Sequence, residues 1–170
     1  MSDALIQIVD EHDQPIGVAQ MRDAQERGLY HRIARVMIED AEGNILLQKR
    51  ASDMRMYPDC WDTSAAGHVD AGETNEAAAK RELFEEVGIK VENLEFLGSY
   101  PTNRTYKGLQ LKRFNPTYRA IVDRNIAIKL ESSEVSEFKW CSTSEIKDII
   151  AQHPDSVTDG LADIINRFYS

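Results

Sequence analysis

Apolar positions along this chain follow two periods, one of two residues and one of three to four, in separate stretches. Residues 5–9 and 16–19 flank the polar run DEHDQP and predict a hairpin, followed by a short helix over about 22–27 that Gly28 ends. Residues 31–38 and 45–49 are apolar-rich strands around Asp40-Ala41-Glu42-Gly43-Asn44, a strong hairpin signal. TNEAAAKRELFEEV contains neither Gly nor Pro, and Thr74 suits its N-cap. Gly88 stands where a left-handed residue closes a helix. Leu83 and Val87, four apart with Phe84 beside them, supply the stripe that docks this helix on a sheet, and Ala78 and Ala79 lie above. Strands follow over 94–100, 112–122 and 137–140. Ser142 or Thr143 caps a helix to about 152 that Pro154 stops, and a last helix covers about 158–168. Alternation of strands and helices predicts an α/β fold, with 1–28 an N-terminal extension packed on a domain of 29–170.

The polar face of the long helix changes the picture. Glu82, Glu85 and Glu86 are i, i+3 and i+4 and crowd one face, where three carboxylates repel and disfavour the helix. A hard divalent cation with oxygen ligands relieves that repulsion most directly, Mg²⁺ first and Mn²⁺ as its substitute. Arg81, four before Glu85, is placed to hold one carboxylate beside the metal ligands. A surface helix carrying RE and EE pairs is ordinarily only solvated. Here Gly67, Glu73 and Gly88 accompany the acids at fixed offsets, in G-x₅-E-x₇-RE-L-x-EE-x-G, and seven identities in register arise by chance on the order of 10⁻⁸ per starting position.

That pattern resembles the complete motif of the Nudix hydrolases. The resemblance implies an α/β/α sandwich with a mixed β-sheet, carrying a loop-helix-loop that hydrolyses a nucleoside diphosphate linked to another group. It implies that Glu82, Glu85 and Glu86 bind Mg²⁺, that Gly67 offers its carbonyl, and that Arg81 and Glu73 orient the helix. Glu82 or Glu85 is then the catalytic carboxylate, with Glu82 an alternative base. Metal ions there neutralise the pyrophosphate, activate a water and steady the leaving phosphate.

A narrower resemblance lies around the motif. LYHRIARVMIEDAEGNILLQKRAS and YPDCWDTSAAGHVDAGE are similar to the Nudix subgroup containing isopentenyl-diphosphate isomerase. Those isomerases carry a catalytic cysteine where this chain has Ala66, and a metal site of several histidines and a later pair of glutamates. His31 and His68 match two of the histidines, but LKRFNPTYRAIVD has no acidic pair. The expected function is therefore Mg²⁺-dependent cleavage of a phosphoanhydride in a nucleoside diphosphate derivative or related small diphosphate. An isomerase-like enzyme and a non-catalytic ligand-sensing module are the alternatives.

Composition bounds these readings. A 170-residue chain, 42% hydrophobic, fits one globular domain. A net charge of -9 argues against binding nucleic-acid backbones, so the small-molecule diphosphate must find local positive charge. Cys60 and Cys141 lack paired spacing and suggest neither a disulfide framework nor a zinc site. MSDALIQIVDEHDQ lacks the basic start and apolar run of a signal peptide, and no stretch nears the ~20 apolar residues of a membrane helix, so the cytoplasm is expected. The N-terminal hairpin either covers the site or pairs with a second subunit in a homodimer.

Outside the motif, Glu134 is the candidate for an extra catalytic acid, from a segment in which Glu131 and Glu137 also qualify; the other reading is a solvated loop glutamate. Lys49, Arg50 and Arg55 either bind the substrate's phosphates or are surface charge. His68 beside the motif is a substrate contact candidate, while His31 is either a ligand or structural. Tyr57, Trp61 and Trp140 either stack on a base or belong to the core.

Overall fold

The computed structural model describes residues 4–130 and 132–170; Glu131 lies outside them. Its organising strand is β3 (His31–Glu39), which has neighbours along both edges. Along one edge lie β1 (Leu5–Val9), paired at Ile8↔His31, then β6 (Ala65–His68), then β4 (Ile45–Arg50) at Glu39↔Ile45. Along the other lie β9 (Leu109–Phe114) and β10 (Thr117–Ile121), both parallel to β3. The remaining ladders are antiparallel: β2 (Pro15–Gln20) on β1, β5 (Trp61–Asp62) and β11 (Val135–Cys141) on β4, β7 (Glu95–Gly98) on β10, and β8 (Pro101–Tyr106) on β9. The sheet is mixed, as expected.

Each face of the sheet buries its own core, because side chains alternate along a strand. Ala34, Val36, Ile38, Leu46 and Ala65 face α2 (Asn75–Val87), whose Ala78, Ala79, Leu83 and Val87 are fully buried. Met37, Ile45 and Leu47 face α3 (Thr143–Gln152) and α4 (Asp159–Phe168) through Ile146, Leu161, Ile164 and Ile165. Helices on both faces make the α/β/α sandwich. A smaller cluster of Ile6, Ile8, Ala19 and Ala24 closes β1 and β2 with α1 (Met21–Arg27), which Gly28 terminates at φ 63. Among the described residues no helix is long and apolar enough to cross a membrane.

Several boundaries differ from the sequence expectation for local reasons. The expected strand over 112–122 is two strands, because Asn115-Pro116 breaks it, and Asn115 turns its amide onto the Tyr100 carbonyl and Thr102 instead. The 94–100 strand is only β7, and the hairpin of β8 and β9 about Lys107 and Gly108, both at positive φ, was not expected. The turn at 40–44 forms, with the Asp40 carboxylate accepting from the Glu42 and Asn44 amides, but the strands part after one pair because β6 takes the edge of β3. Phe84 does not dock α2: it is 47% exposed under the Lys90 ammonium. Cys60 and Cys141 are free and buried.

Candidate active site

The acid-bearing helix is fixed at both ends by its own sequence. The Thr74 hydroxyl accepts from the Ala77 amide at 3.1 Å, and Gly88, at φ 76, donates its amide to the Phe84 carbonyl. The loop before it is tied by Glu73, whose carboxylate accepts from the Asp70 amide at 3.0 Å. Arg81 then grips that loop from the helix: Nε and Nη2 donate to the two oxygens of Glu73 at 2.8 and 2.9 Å, and Nη2 also reaches the His68 carbonyl at 3.0 Å. Its Nη1 lies on Glu82 at 2.7 Å and at 3.4 Å from Glu85, so the guanidinium holds Glu73 and Glu82 more closely than the i+4 carboxylate. This network holds the Arg81 proton harder than usual, led by the Glu73 hydrogen bonds.

Glu82 packs against the backbone of Gly67. A Cβ on Gly67 would overlap the Glu82 carboxyl carbon, which explains in steric terms why a glycine stands there. Burial pushes the Glu82 carboxyl up to about 7, Arg81 opposing, with the charges of Glu85 and Glu134 adding to the rise. Glu86 is 5% exposed; its Oε1 accepts from the Ala66 amide at 2.9 Å and from the Gln48 side-chain amide at 3.4 Å. Burial, then the charge of Glu82, drive its pKa well above the ordinary range, and Glu134 and Asp62 push the same way. Glu85 has a side chain 56% exposed. Glu134, just ahead of β11, accepts at its carbonyl from the Ala51 amide, and its charge is felt at both Glu82 and Glu86. Glu82 and Glu86 therefore meet the adjacent residues Gly67 and Ala66, with Glu85 more exposed and the charge of Glu134 acting on both acids.

Among the described residues no three His, Cys, Asp or Glu side chains are drawn together as a finished metal-binding cluster. The donor set nevertheless fits a hard divalent cation. Of its two carboxylates, one buried and one 14% exposed at its side chain, Glu82 raises the pKa of Glu86 while Glu85 and Glu134 raise that of Glu82, and among the described residues Glu86 has only amides as hydrogen-bond partners. Excess negative charge in a partly buried place is what an Mg²⁺ ion neutralises.

The cationic candidates lie elsewhere. Gln48 reaches Glu86, so its strand neighbour Lys49 points to the opposite face of the sheet, where its ammonium sits 5.7 Å from the Trp61 ring. Arg50 donates to the Met56 carbonyl at 2.9 Å and lies 3.6 Å from Asp62. Arg55 binds the Gln25 side chain. His68 is on the face opposite Gly67, stacked on His31 with ring centroids 5.3 Å apart. Tyr57 stacks on Tyr106 at 4.4 Å, and Trp61 and Trp140 pack on the two cores. Sequence reasoning missed Gln48 and Arg113. Both are polar residues at inward positions of apolar strands, and that interruption of the alternation was the available signal.

The NUDIX domain family matches residues 29–161. The chain belongs to the Nudix family. Its relatives include isopentenyl-diphosphate Delta-isomerase 2 of Photorhabdus laumondii, 34% identical over 96% of this chain and 92% of that one. An uncharacterised Nudix hydrolase of Pseudomonas aeruginosa is 33% identical over 82% of this chain and 79% of its own. The crystal structure of DR0079 from Deinococcus radiodurans superposes with a TM-score of 0.78 at 22% identity, over 98% and 99% of the two chains, and shares the fold. This Nudix protein is an enzyme of the hydrolase class.

Proposed function

We propose that this Nudix protein is a Mg²⁺-dependent pyrophosphohydrolase that cleaves a phosphoanhydride in a nucleoside diphosphate derivative or related small diphosphate. The observation that supports the reading is that Glu82 packs on Gly67 and Glu86 binds the adjacent Ala66 amide, with Arg81 fixing the helix that bears both. The carbonyl of Gly67 and the carboxylates of Glu82, Glu85 and Glu86 would hold the ion. When bound, Mg²⁺ neutralises the diphosphate and acidifies a water for attack. The chain's own part is positional. Arg81 holds the Glu82 carboxylate in one orientation, and the Ala66 amide and Gln48 hold that of Glu86. Glu82, with a pKa near neutrality in the metal-free chain, is suited to accept a proton from an attacking water, and Glu134, whose charge acts on Glu82, is the second candidate for that role.

The isomerase name of a relative raises a second reading. Against it, position 66 is an alanine, which offers only its backbone amide, and that amide is committed to Glu86. Among the described residues no metal-binding group of carboxylates and histidines forms, and Arg113, not a carboxylate, lies opposite His31 in the sheet. The test is to incubate the purified protein with Mg²⁺ and a panel of nucleoside di- and triphosphates, nucleotide sugars, ADP-ribose, dinucleoside polyphosphates and isopentenyl diphosphate. Selective phosphoanhydride hydrolysis, reduced at least a hundredfold in Glu86→Gln, is expected; rearranged isopentenyl diphosphate without hydrolysis would instead establish the isomerase.

A further inference from the structure

On the sheet face opposite α2, the register of β3 assembles a second group of polar side chains. His31 pairs with Arg113 of β9, and Ile33 with His68 of β6, so alternation places His31, His68 and Arg113 on one face. His31 is fully buried and Arg113 is 7% exposed. Among the described residues, His31 Nε2, His68 Nε2 and Arg113 Nε are buried without a hydrogen-bond partner. Among the described residues the Nη2 of Arg113 has only the Met56 thioether, at 3.9 Å, a weak acceptor. No carboxylate of the described residues forms an ion pair with Arg113, whereas Arg35 and Arg50 both share Asp62. Burial and the charge of Arg35 push the Arg113 guanidinium down to about 10, with Arg50 adding to the fall and Asp159 and Tyr57 opposing it.

A buried guanidinium without an ion-pair partner is costly, and folding alone gives no reason to retain it. Its open Nε and Nη2 edge is the fork that takes two oxygens of one oxyanion. His31 narrows the choice. Its Nδ1 faces the Leu29 carbonyl at 2.9 Å and so carries the proton, leaving Nε2 as a lone pair when the ring is neutral. Burial and Arg113 hold the ring neutral, pushing it down to about 4. A lone pair beside a guanidinium calls for a ligand with both negative oxygens and a hydroxyl proton. A phosphate carrying one proton has both; a carboxylate at neutral pH has no proton to offer.

The place connects to the acids through β6. Gly67 and His68 are adjacent and point to opposite faces, and the one ladder of β6 among the described residues is with β3. Its outer side is where the Ala66 amide meets Glu86. A ligand lying over this edge meets the acids on one side and the His31, His68 and Arg113 group on the other. We propose that Arg113 and His31, flanked by His68, form a subsite for a phosphate group carried on the part of the substrate beyond the scissile diphosphate. This deepens the hydrolase reading and rests on it, for the subsite selects diphosphates whose far substituent is itself phosphorylated. Met56, reaching in from the loop after β4, is the flexible apolar side chain such a group displaces.

The test is calorimetric titration of inorganic phosphate and of inorganic diphosphate into the metal-free full chain, in chelator. The proteins are the wild type, Arg113→Met, Arg113→Lys and Glu86→Gln. Both anions are expected to bind the wild type and Glu86→Gln alike, at least tenfold more weakly to Arg113→Met, and in between to Arg113→Lys. Arg113→Met is expected to melt no lower than the wild type, since it removes an unpaired buried charge. Binding independent of Arg113, or none at all, overturns the subsite and leaves the three nitrogens to an internal water. Phosphate binding without diphosphate binding also overturns it, as a site for the free ion. Failure of hydrolysis across the panel with Arg113-dependent binding intact overturns the catalytic reading and not the subsite.

Discussion

Arg81 and Glu73 face each other fork to fork, with two guanidinium nitrogens on two carboxylate oxygens at 2.8 and 2.9 Å. The pair joins the loop that carries Gly67 to the helix that carries the acids. Lysine keeps the charge but not the fork. Arg81→Lys and Glu73→Gln should each lower kcat about 10- to 100-fold, the range for residues that orient metal ligands. The double variant should lose little more than either single one, because the two act as a unit. Steady-state kinetics on the substrate found in the panel checks this; additive losses would separate the residues.

Gly67 has no room for a methyl group. In Gly67→Ala the new Cβ must displace the Glu82 carboxyl group, with an overpacking cost of about 1–3 kcal/mol. A folded variant with a lower melting temperature and at least tenfold weaker Mn²⁺ binding is expected. Wild-type metal affinity in Gly67→Ala would show that the contact does not position Glu82.

Glu82 makes a prediction about pH. In the metal-free protein its carboxyl is raised to about 7 from an ordinary 4.5, so between those values the folded chain holds a proton that the unfolded chain has released. Stability contributed by that proton is present at low pH and lost as pH rises through 7, by about 3 kcal/mol across the window. His31 works the other way. Its folded pKa near 4 lies below the ordinary 6.5, so its contribution grows as pH rises from 4 to 6.5, and the wild-type curve sums these with the shifts of other buried groups such as Glu86. Comparing urea unfolding of wild type and Glu82→Gln isolates the first effect: the stability advantage of the variant should grow from pH 4.5 to 7. An advantage that stays constant with pH would remove Glu82 as the source.

Much of the site's first layer was legible because it is local. Thr74, Gly88 and the 3.6-residue repeat act within a few residues, so helix, caps and acid face were readable from sequence and α2 runs where expected. What was not legible depends on strand register. Lys49 directly follows Gln48, and only pairing with β5 and β11 decides that Gln48 reaches Glu86 while Lys49 turns to Trp61. Phe84 matched the apolar stripe by composition, yet its place in the helical turn leaves it outside the arc filled by Ala79, Leu83 and Val87. Arg113 stayed hidden because its partner across the ladder is 82 residues earlier in the chain.

The most direct measurement is a titration of Mn²⁺, followed by electron paramagnetic resonance, into the wild type, Glu86→Gln and Arg113→Met. At least one ion should bind the wild type and Arg113→Met equally, with affinity at least tenfold weaker in Glu86→Gln. Equal binding in Glu86→Gln and wild type, or no binding in either, would contradict the assignment of the acid helix as the metal site.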